Sequence, residues 1–288
     1  MKIGIGLPAT TPGVQGKLIL DWARQADAGP FSSLGLIDRI VYDNYEPLIT
    51  LAAVGGATER IRLATTVLLA PLRNGALLAK QSASLDALSG GRLTLGLAVG
   101  GREDDYQIAE KSLKNRGKRF VEQLALMERI WSGQLLEGEN EPIGPKPVQP
   151  GGPEVLLGGN SPAAIQRVSR WGNGFITGGG GAGMARQAFD AVKKVWHEAN
   201  RAGNPRLVSC SYFALGPQAA DRASAYIQHY YSFLGPIAAQ IAGGVPTTSE
   251  AVRDTIKAFA DTGADELILW PCIAELDQIS RLADLIGG

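Results

Sequence analysis

The chain has 288 residues, 28 Lys plus Arg, 28 Asp plus Glu, a formal net charge of zero and 37 glycines. A neutral chain lacks the positive charge that drives counterion release from nucleic acid, so nucleic acid is excluded as the expected main partner. The 45% apolar content argues against disorder, and the glycines follow no Gly-X-Y period, which excludes collagen. Two cysteines indicate no disulfide framework, and the absence of an 18-residue apolar run predicts no membrane span; we expect a cytoplasmic protein.

Short runs rich in Ile, Val and Leu predict eight buried parallel strands. In chain order they are Ile3–Leu7, Leu34–Ile37, Ile61–Leu69, Leu93–Val99, Glu154–Leu157, Gly174–Thr177, Leu207–Ala214 and Glu266–Trp270. Helical spacing of apolar residues predicts helices in most of the intervening segments, clearest at Phe120, Leu124, Met127 and Trp131. Regular strand–helix alternation is typical of βα units and a parallel sheet.

Eight βα units predict an α/β fold, a (β/α)8 TIM barrel, as one domain over residues 1–288, because such barrels need about 250 residues. A doubly wound sheet is the structural alternative. It usually carries a Gly-x-Gly-x-x-Gly turn after the first strand, and this chain has Leu7-Pro8-Ala9-Thr10 there.

Two segments interrupt the alternation. Glu137–Gly152 carries four prolines and several glycines and predicts a long irregular connection. Gln218–Gly244 predicts a helical insertion, broken at Gly235-Pro236, before the last helix–strand unit. Strands of the same sheet lie on both sides of each segment, so neither is interpreted as a linker between domains.

Glycines cluster where predicted strands end, in Gly158-Gly159-Asn160-Ser161-Pro162 and in Gly178–Gly181. Ser161-Pro162 is typical of a helix start, with Ser as the cap and Pro at the first helical position. Glycine turns that open helices favour a phosphate cradle, and late strand–helix loops are where barrels often build one. The alternative is that tight turns simply need glycine.

Polar residues follow the second, third and fourth strands, at Asp38-Arg39, Arg73-Asn74 and Arg102–Asp105. This rim is where barrels carry out catalysis, and salt bridging among the loops is the alternative. His229, in the insertion, is a candidate for substrate contact, whereas His197 is expected at the surface. No set of His, Cys, Asp and Glu has metal-ligand spacing, so no metal site is predicted.

Several stretches resemble the bacterial luciferase-like monooxygenase family, and the resemblance runs over nearly the whole chain. They are Ile61–Val67, Leu85–Gly96 with its Leu-Ser-Gly-Gly-Arg-Leu block, Gly100–Tyr106, Pro153–Ser161 and Trp171–Ile176. The resemblance implies a (β/α)8 barrel that holds reduced FMN or the deazaflavin coenzyme F420 in its mouth.

The resemblance also implies roles for individual residues. Asp38 matches a position that contacts the ring system of the cofactor in F420-using members. Asp104 matches a position near the polar edge of the cofactor. Thr66-Val67 matches a place where members often carry a non-prolyl cis peptide behind the ring. The phosphate-binding turns match Gly158, Gly159 and Asn160 together with Gly178, Gly179 and Gly180.

The chain departs from the family pattern at two positions. Many members have His after the second strand, where this chain has Arg39, which keeps its charge and is suited to hold an anion. The glucose-6-phosphate dehydrogenase branch, which uses F420, has a basic residue where this chain has Gly181. The absence of this basic residue favours FMN over F420 as the cofactor. Backbone N–H groups, together with Arg186 or Arg102, are then the candidates for holding a phosphate.

These observations predict a luciferase-like monooxygenase that uses reduced FMN and O2 on a small organic substrate, with Asp38, Arg39 and His229 as candidate catalytic residues. An F420-dependent hydride-transfer enzyme and a flavin-binding barrel without turnover are the alternatives. The hypothesis allows for a separate flavin reductase as a partner. The apolar stripe of Arg116–Trp131 exceeds what one packed face needs, which predicts a homodimer.

Overall fold

Eight parallel strands close into a barrel in a computed structural model, which describes residues 1–138 and 140–287. The strands are β1 (Lys2–Gly6), β2 (Ser33–Leu36), β3 (Arg62–Leu69), β4 (Leu93–Ala98), β5 (Glu154–Gly158), β6 (Gly174–Thr177), β7 (Arg206–Phe213) and β8 (Glu266–Pro271). Each pairs with the next, and Ile5 of β1 lies opposite both Leu34 of β2 and Leu269 of β8, which closes the ring. The barrel prediction is confirmed.

Helices surround this barrel on the outside. They are α1 (Gly16–Ala28), α2 (Pro47–Gly56), α3 (Gly75–Leu88), α4 (Glu103–Ile108), α5 (Arg116–Trp131), α6 (Pro162–Val168), α7 (Gly181–Glu198), α8 (Ala219–Tyr230), α9 (Ile237–Gly243), α10 (Ser249–Ala260) and α11 (Asp277–Ile286), with 3₁₀ turns at Ala70–Leu72 and Ser232–Leu234. The predicted insertion is α8, the second 3₁₀ turn and α9, and its chain bends at Gly235, where φ is 56°. The sequence pattern did not predict the short helix α4.

The apolar stripe of α5 packs within the chain. Phe120, Leu124, Met127, Ile130 and Trp131 are all buried, because this face of α5 lies against α3 and the barrel. Trp131 Nε1 donates to the carbonyl oxygen of Ala79 at 3.0 Å, which joins the two helices. The stripe is therefore used inside one chain and gives no argument for pairing, so the homodimer stays a prediction.

The irregular connection 137–152 is tied to the barrel by one buried carboxylate. Asp86 of α3 is fully buried and accepts hydrogen bonds from the Val148 and Gln149 backbone N–H groups at 2.8 and 3.0 Å. Glu139, which belongs to this predicted segment, lies outside the described residues. Among the described residues no helix is long and apolar enough to cross a membrane.

A network of charged and hydroxyl side chains, here called the base network, closes the amino-terminal end of the barrel. Arg206 donates to both Glu154 and Glu266, and Glu266 also accepts the Ser33 hydroxyl at 2.7 Å. Thr94 donates to Glu154 at 2.7 Å. Because these residues start or nearly start strands β2, β4, β5, β7 and β8, the network holds strands from around the ring.

Candidate active site

Asp38 lies at the opposite end of the barrel, the mouth, where the strands end. Its side chain is 1% exposed, and Arg73 pairs with both carboxylate oxygens, at 2.6 and 3.0 Å. The Leu69 N–H donates to the same carboxylate at 2.8 Å. Burial raises the pKa of Asp38 above its ordinary value, and the Arg73 guanidinium opposes that rise. The carboxylate is therefore held by protein donors, which fixes the loop after β2 against the end of β3.

The guanidinium of Arg39 is buried in the mouth between two tyrosine rings. Its side chain is 6% exposed, and its Cζ lies 4.4 Å from the ring centre of Tyr42 and 5.2 Å from that of Tyr230. Its terminal nitrogens donate to the carbonyl oxygens of Tyr230 (3.1 Å) and Val41 (2.9 Å). Asp104 Oδ2 is 4.0 Å away, and Nε has no hydrogen-bond partner in the described part of the chain. Arg39 thus brings a permanent charge and a spare donor into the mouth.

Asp104 and Asp105 open helix α4 and have different environments. Asp104 is 40% exposed and pairs with Arg102; partial burial raises its pKa, but the Arg102 side chain and the Asp105 N–H hold the pKa of Asp104 below its ordinary value. Asp105 is fully buried and accepts the N–H groups of Ile40 and Val41 at 3.0 and 2.7 Å. Asp105 therefore fixes the loop that carries Arg39, which agrees with a structural role for this carboxylate.

The peptide bond between Thr66 and Val67, in the middle of β3, is cis, as the resemblance implies. The pairing of β3 with β4 shifts register between Thr65 and Leu68, and a Cβ at Gly96 would lie 2.1 Å from the Thr65 carbonyl oxygen. Glycine at position 96 therefore leaves the space that this irregular strand occupies.

The hydroxyl of Thr66 accepts a hydrogen bond from Trp270 Nε1 of β8 at 3.1 Å. On the other side, Val67 Cγ1 lies 3.5 Å from where a Cβ on Gly158 would be. The Thr66–Val67 bond therefore stands between an indole ring and the first glycine turn of the mouth.

Four tyrosines, Tyr212 of β7 and Tyr226, Tyr230 and Tyr231 of the insertion, form a tyrosine wall over the mouth. Consecutive rings lie close, with centres 6.0 Å apart for Tyr226 and Tyr230 and 4.8 Å apart for Tyr230 and Tyr231. Tyr212 also lies 5.1 Å from Trp270. Burial raises the pKa of Tyr212 and of Tyr226 well above the ordinary value, so both hydroxyls stay protonated and the wall is neutral.

Three of the four hydroxyls of this wall, those of Tyr212, Tyr226 and Tyr231, are paired inside the protein. Tyr226 shares a hydrogen bond with Thr10 in the loop after β1, at 2.6 Å, and the Tyr212 and Tyr231 hydroxyls lie 3.0 Å apart. Because buried hydroxyls with partners resist hydration, the wall can keep water from the mouth. The sequence held one signal for it, the four-residue spacing of Tyr226 and Tyr230, which places both rings on one face of α8.

The predicted phosphate turns follow two paired strands. Gly158 of β5 lies opposite Ile176 of β6, so Gly158-Gly159-Asn160 and Gly178-Gly179-Gly180 are neighbours. Gly178, Gly179 and Gly180 are exposed, and no side chain caps the first turn of the 18-residue helix α7. Ser161 does cap α6, accepting the Ala164 N–H at 3.2 Å with Pro162 at the first helical position, as predicted. The first N–H groups of α7 therefore have no side-chain acceptor, and the phosphate cradle stays a prediction.

The structure places the remaining candidates as follows. His229 is exposed on α8, and its Nδ1 lies 2.9 Å from the Tyr42 hydroxyl. Arg186 donates to the carbonyl oxygen of Asp261, so it is engaged on the outer surface. Arg39, Asp104 and Arg102 come together on one side of the mouth, while Asp38 pairs separately with Arg73, a partner that the sequence did not identify.

The two cysteines do not take part in this site as ionised groups. Cys210 and Cys272 are both buried and free, and burial raises the pKa of each thiol. Within residues 1–138 and 140–287, no three His, Cys, Asp or Glu side chains form a group that could hold a metal ion.

Comparison with known proteins identifies a family that spans nearly the whole chain and individual relatives that match part of it. The family model described as luciferase-like monooxygenase matches residues 1–280. A Mycobacterium tuberculosis protein described as uncharacterized is 30% identical over 208 residues, 62% of this chain and 71% of that protein. An F420-dependent glucose-6-phosphate dehydrogenase of Nocardia farcinica is 29% identical over 59% of this chain and 56% of its own length. An FMNH(2)-dependent dimethylsulfone monooxygenase of Pseudomonas putida is 28% identical over 52% of this chain and 44% of its own length.

Solved structures share the fold over the full length. An F420-dependent secondary alcohol dehydrogenase in complex with an F420-acetone adduct superimposes with a TM-score of 0.80 at 16% identity, covering 100% of this chain and 99% of that chain. The oxygenating constituent of 3,6-diketocamphane monooxygenase of Pseudomonas putida, in complex with FMN, gives a TM-score of 0.74 at 18% identity, covering 99% and 96%. At these identities the likeness establishes the barrel and not the chemistry.

Proposed function

Because the chain belongs to the luciferase-like monooxygenase family, we propose that it is an oxidoreductase that binds reduced FMN in the barrel mouth and uses O2 on a small organic substrate. One observation carries the proposal. The mouth gathers the exposed glycines 178–180 and the uncapped N-terminus of the long helix α7 that follows them. Free backbone N–H groups at a helix N-terminus are the donors that the phosphate of a flavin mononucleotide needs from a protein.

The residues of the mouth fit this cofactor. Gly178 and Gly179 have open space where a Cβ would stand, so a phosphate can approach the backbone N–H groups of α7 closely. The bound cofactor would supply the oxygen chemistry, and the protein supplies binding and orientation.

The chain's own residues have three tasks in this scheme. The tyrosine wall excludes water, because its rings are buried and neutral and three of its four hydroxyls are paired within the protein. Arg39 holds positive charge beside the ring position at every working pH. Asp38 positions the loop after β2 through Arg73 and Leu69. His229, at the surface next to Tyr42, remains a candidate for contact with substrate.

Coenzyme F420, with hydride transfer to or from an organic substrate, is the second candidate. It is supported by the Nocardia farcinica relative and by Asp38, which stands at the position that contacts the ring system in F420-using members. The absence of a basic side chain at Gly181 supports FMN instead. A flavin-binding barrel without turnover shares the same binding residues.

Titration of the purified protein with FMN, reduced under anaerobic conditions, and with F420 tests the proposal through quenching of tryptophan fluorescence. We expect reduced FMN to bind and Trp270 to account for much of the quenching, because it is the indole at the mouth. A Gly178→Asp variant should bind FMN at least about tenfold more weakly, since its carboxylate repels the phosphate, and riboflavin about as well as the wild type.

Gly56→Asp serves as the matched control, because position 56 lies at the end of α2 and also has open space around it. Preferential binding of F420 would replace the first candidate by the second. A correctly folded protein, by circular dichroism, that binds neither cofactor would overturn both. Binding without NADH-coupled oxygen consumption across a substrate panel, in the presence of a flavin reductase, would indicate a barrel that only binds flavin.

A further inference from the structure

Two guanidinium groups of the mouth, Arg39 and Arg102, share the same neighbours. Their Cζ atoms lie 5.7 and 3.8 Å from the centre of the Phe233 ring, which belongs to the 3₁₀ turn of the insertion. Both also approach the same carboxylate oxygen, Asp104 Oδ2, to which Arg102 donates and from which Arg39 is 4.0 Å away. The two cations therefore form one cluster rather than two independent ion pairs.

The donors of this cluster exceed the acceptors that the described residues offer. Arg39 Nε and Arg102 Nε and Nη1 are buried and make no hydrogen bond within that part of the chain. Asp105 Oδ2, a buried acceptor without a hydrogen bond of its own, forms an ion pair with Arg102 Nε at 3.5 Å, which leaves Arg39 Nε and Arg102 Nη1 as the surplus donors. The Arg39 side chain is only 6% exposed. Buried guanidinium donors without partners are costly and are normally satisfied by a carboxylate or a phosphate.

Flat apolar surfaces border these donors. The Tyr42 ring covers Arg39 at 4.4 Å, and Phe233, 49% exposed, covers Arg102. Aromatic faces beside an arginine fork bind planar groups, because the ring packs on the faces and the carboxylate bonds to the fork. Asp104 already occupies part of this fork with its own carboxylate, and at 40% exposure it can turn out to solvent.

We propose that Arg39 and Arg102, with Phe233 and Tyr42, form a subsite for the carboxylate of a small, flat organic acid, with which the Asp104 side chain competes. This inference rests on the proposed function, because it names the substrate class of the same mouth. It gives Arg39 a task that a histidine could not perform at neutral pH, since a neutral imidazole offers one donor and no charge.

Calorimetric titration with sodium benzoate, and with benzamide as the uncharged analogue, tests the subsite on the full chain with and without FMN. We expect benzoate to bind and benzamide to bind at least about tenfold more weakly. Arg39→Ala should weaken benzoate binding by roughly ten- to a hundredfold, and Arg39→Lys by less, because charged hydrogen bonds are lost in part or in full. Asp104→Asn should strengthen benzoate binding by about threefold or more, since the competing carboxylate is removed.

Arg222→Ala is the matched control, because Arg222 lies on the insertion but pairs with Glu275 at 2.7 Å, away from the cluster; its benzoate affinity should equal that of the wild type. Equal affinities for benzoate and benzamide, or no gain in Asp104→Asn, would overturn the proposal. Displacement of FMN by benzoate would also overturn it, because the arginines would then hold the cofactor. Benzoate binding in a protein that binds no flavin would instead count against the proposed function and leave the subsite standing.

Discussion

Single side chains with several backbone partners do much of the positioning in this molecule, and Asp27 is the clearest case. It stands near the end of α1 and accepts the N–H groups of Glu59, Arg60 and Ile61 at 2.8, 3.1 and 2.7 Å. Burial raises its pKa, but these N–H groups and the Arg60 charge hold the pKa of Asp27 below its ordinary value. Asp27 thus fixes the loop that leads into β3.

Replacement of Asp27 by Asn is expected to lower the free energy of unfolding by about 1–2 kcal/mol at pH 7, because the amide NH2 leaves at least one N–H group without an acceptor and the negative charge is lost from the remaining hydrogen bonds. A carboxyl group whose pKa is lowered by folding stabilises the protein above its unfolded-state pKa, and this contribution is lost as the pH falls through the folded-state value. The difference between wild type and variant should therefore shrink below about pH 4.

Urea unfolding at a series of pH values measures this difference. Asp21→Asn is the control, because Asp21 is an exposed helix residue paired with Lys17 and Arg24, and such pairs contribute up to about 1 kcal/mol. A difference for Asp27→Asn that persists unchanged at pH 3 would contradict the assignment.

For single residues, the sequence predicted where a side chain lies in the fold better than it predicted which side chain it pairs with. The rim location of Asp38 and Arg39 follows from their place after a strand, and both lie in the mouth. The pairing of Asp38 with Arg73, 35 residues away, depends on the relative rotation of two loops, which no local pattern encodes. His229 is exposed although its three-residue spacing from Tyr226 places it beside the face of α8 that Tyr226 and Tyr230 share, so spacing alone did not predict its outward position.

Among the elements, the insertion of α8, the 3₁₀ turn and α9 determines the shape of the mouth. It is joined to the loop after β1 by the Thr10–Tyr226 hydrogen bond and to the loop after β2 by Arg39 and the Tyr230 carbonyl oxygen. The sequence predicted the insertion and its break at Gly235 from composition. Its docking over the mouth was not predicted, because that depends on long-range contacts of its tyrosines.

A double-mutant cycle on Thr10→Val and Tyr226→Phe is expected to give a coupling energy of about 1 kcal/mol in stability. Each single change leaves a buried hydroxyl without a partner, whereas the double change removes both hydroxyls and so costs less than the sum. Chemical denaturation measures stability, and limited proteolysis of the insertion reports docking.

The corresponding cycle on Thr255→Val and Tyr106→Phe provides the control, since these residues lie in different elements and share no described hydrogen bond; their effects should add. Strict additivity for Thr10 and Tyr226 would show that their hydrogen bond does not stabilise the docked insertion.

On the scale of the whole molecule, two features hold the barrel together. The eight strands pair in a closed ring with apolar side chains packed around it, and the base network joins the strand starts at the amino-terminal end. Alternating strands and helices predicted the ring of eight strands, because a parallel sheet of this size has few other ways to close. The base network was not predicted. Glu154, Arg206 and Glu266 are each the first residue of a strand, and only ring closure brings these three positions together.

Glu266→Gln is expected to lower the free energy of unfolding by about 3 kcal/mol, because it leaves the half-buried Arg206 with one carboxylate instead of two and weakens the hydrogen bond from Ser33. Glu275→Gln, which breaks an exposed pair with Arg222, should cost less than about 1 kcal/mol. Guanidinium unfolding followed by circular dichroism compares the two. Equal costs would mean that the base network stabilises no more than a surface pair does.

The position of the base network has a consequence for how such a barrel can diversify. The charges that lock the strands lie at one end, and the loops that choose cofactor and substrate lie at the other. Residues such as Phe233 and Asp104 can therefore be exchanged, by natural drift or in a combinatorial library, without weakening the scaffold that carries them. The residues that stabilise the barrel and the residues that select its ligands are therefore two separate sets, at opposite ends of the fold.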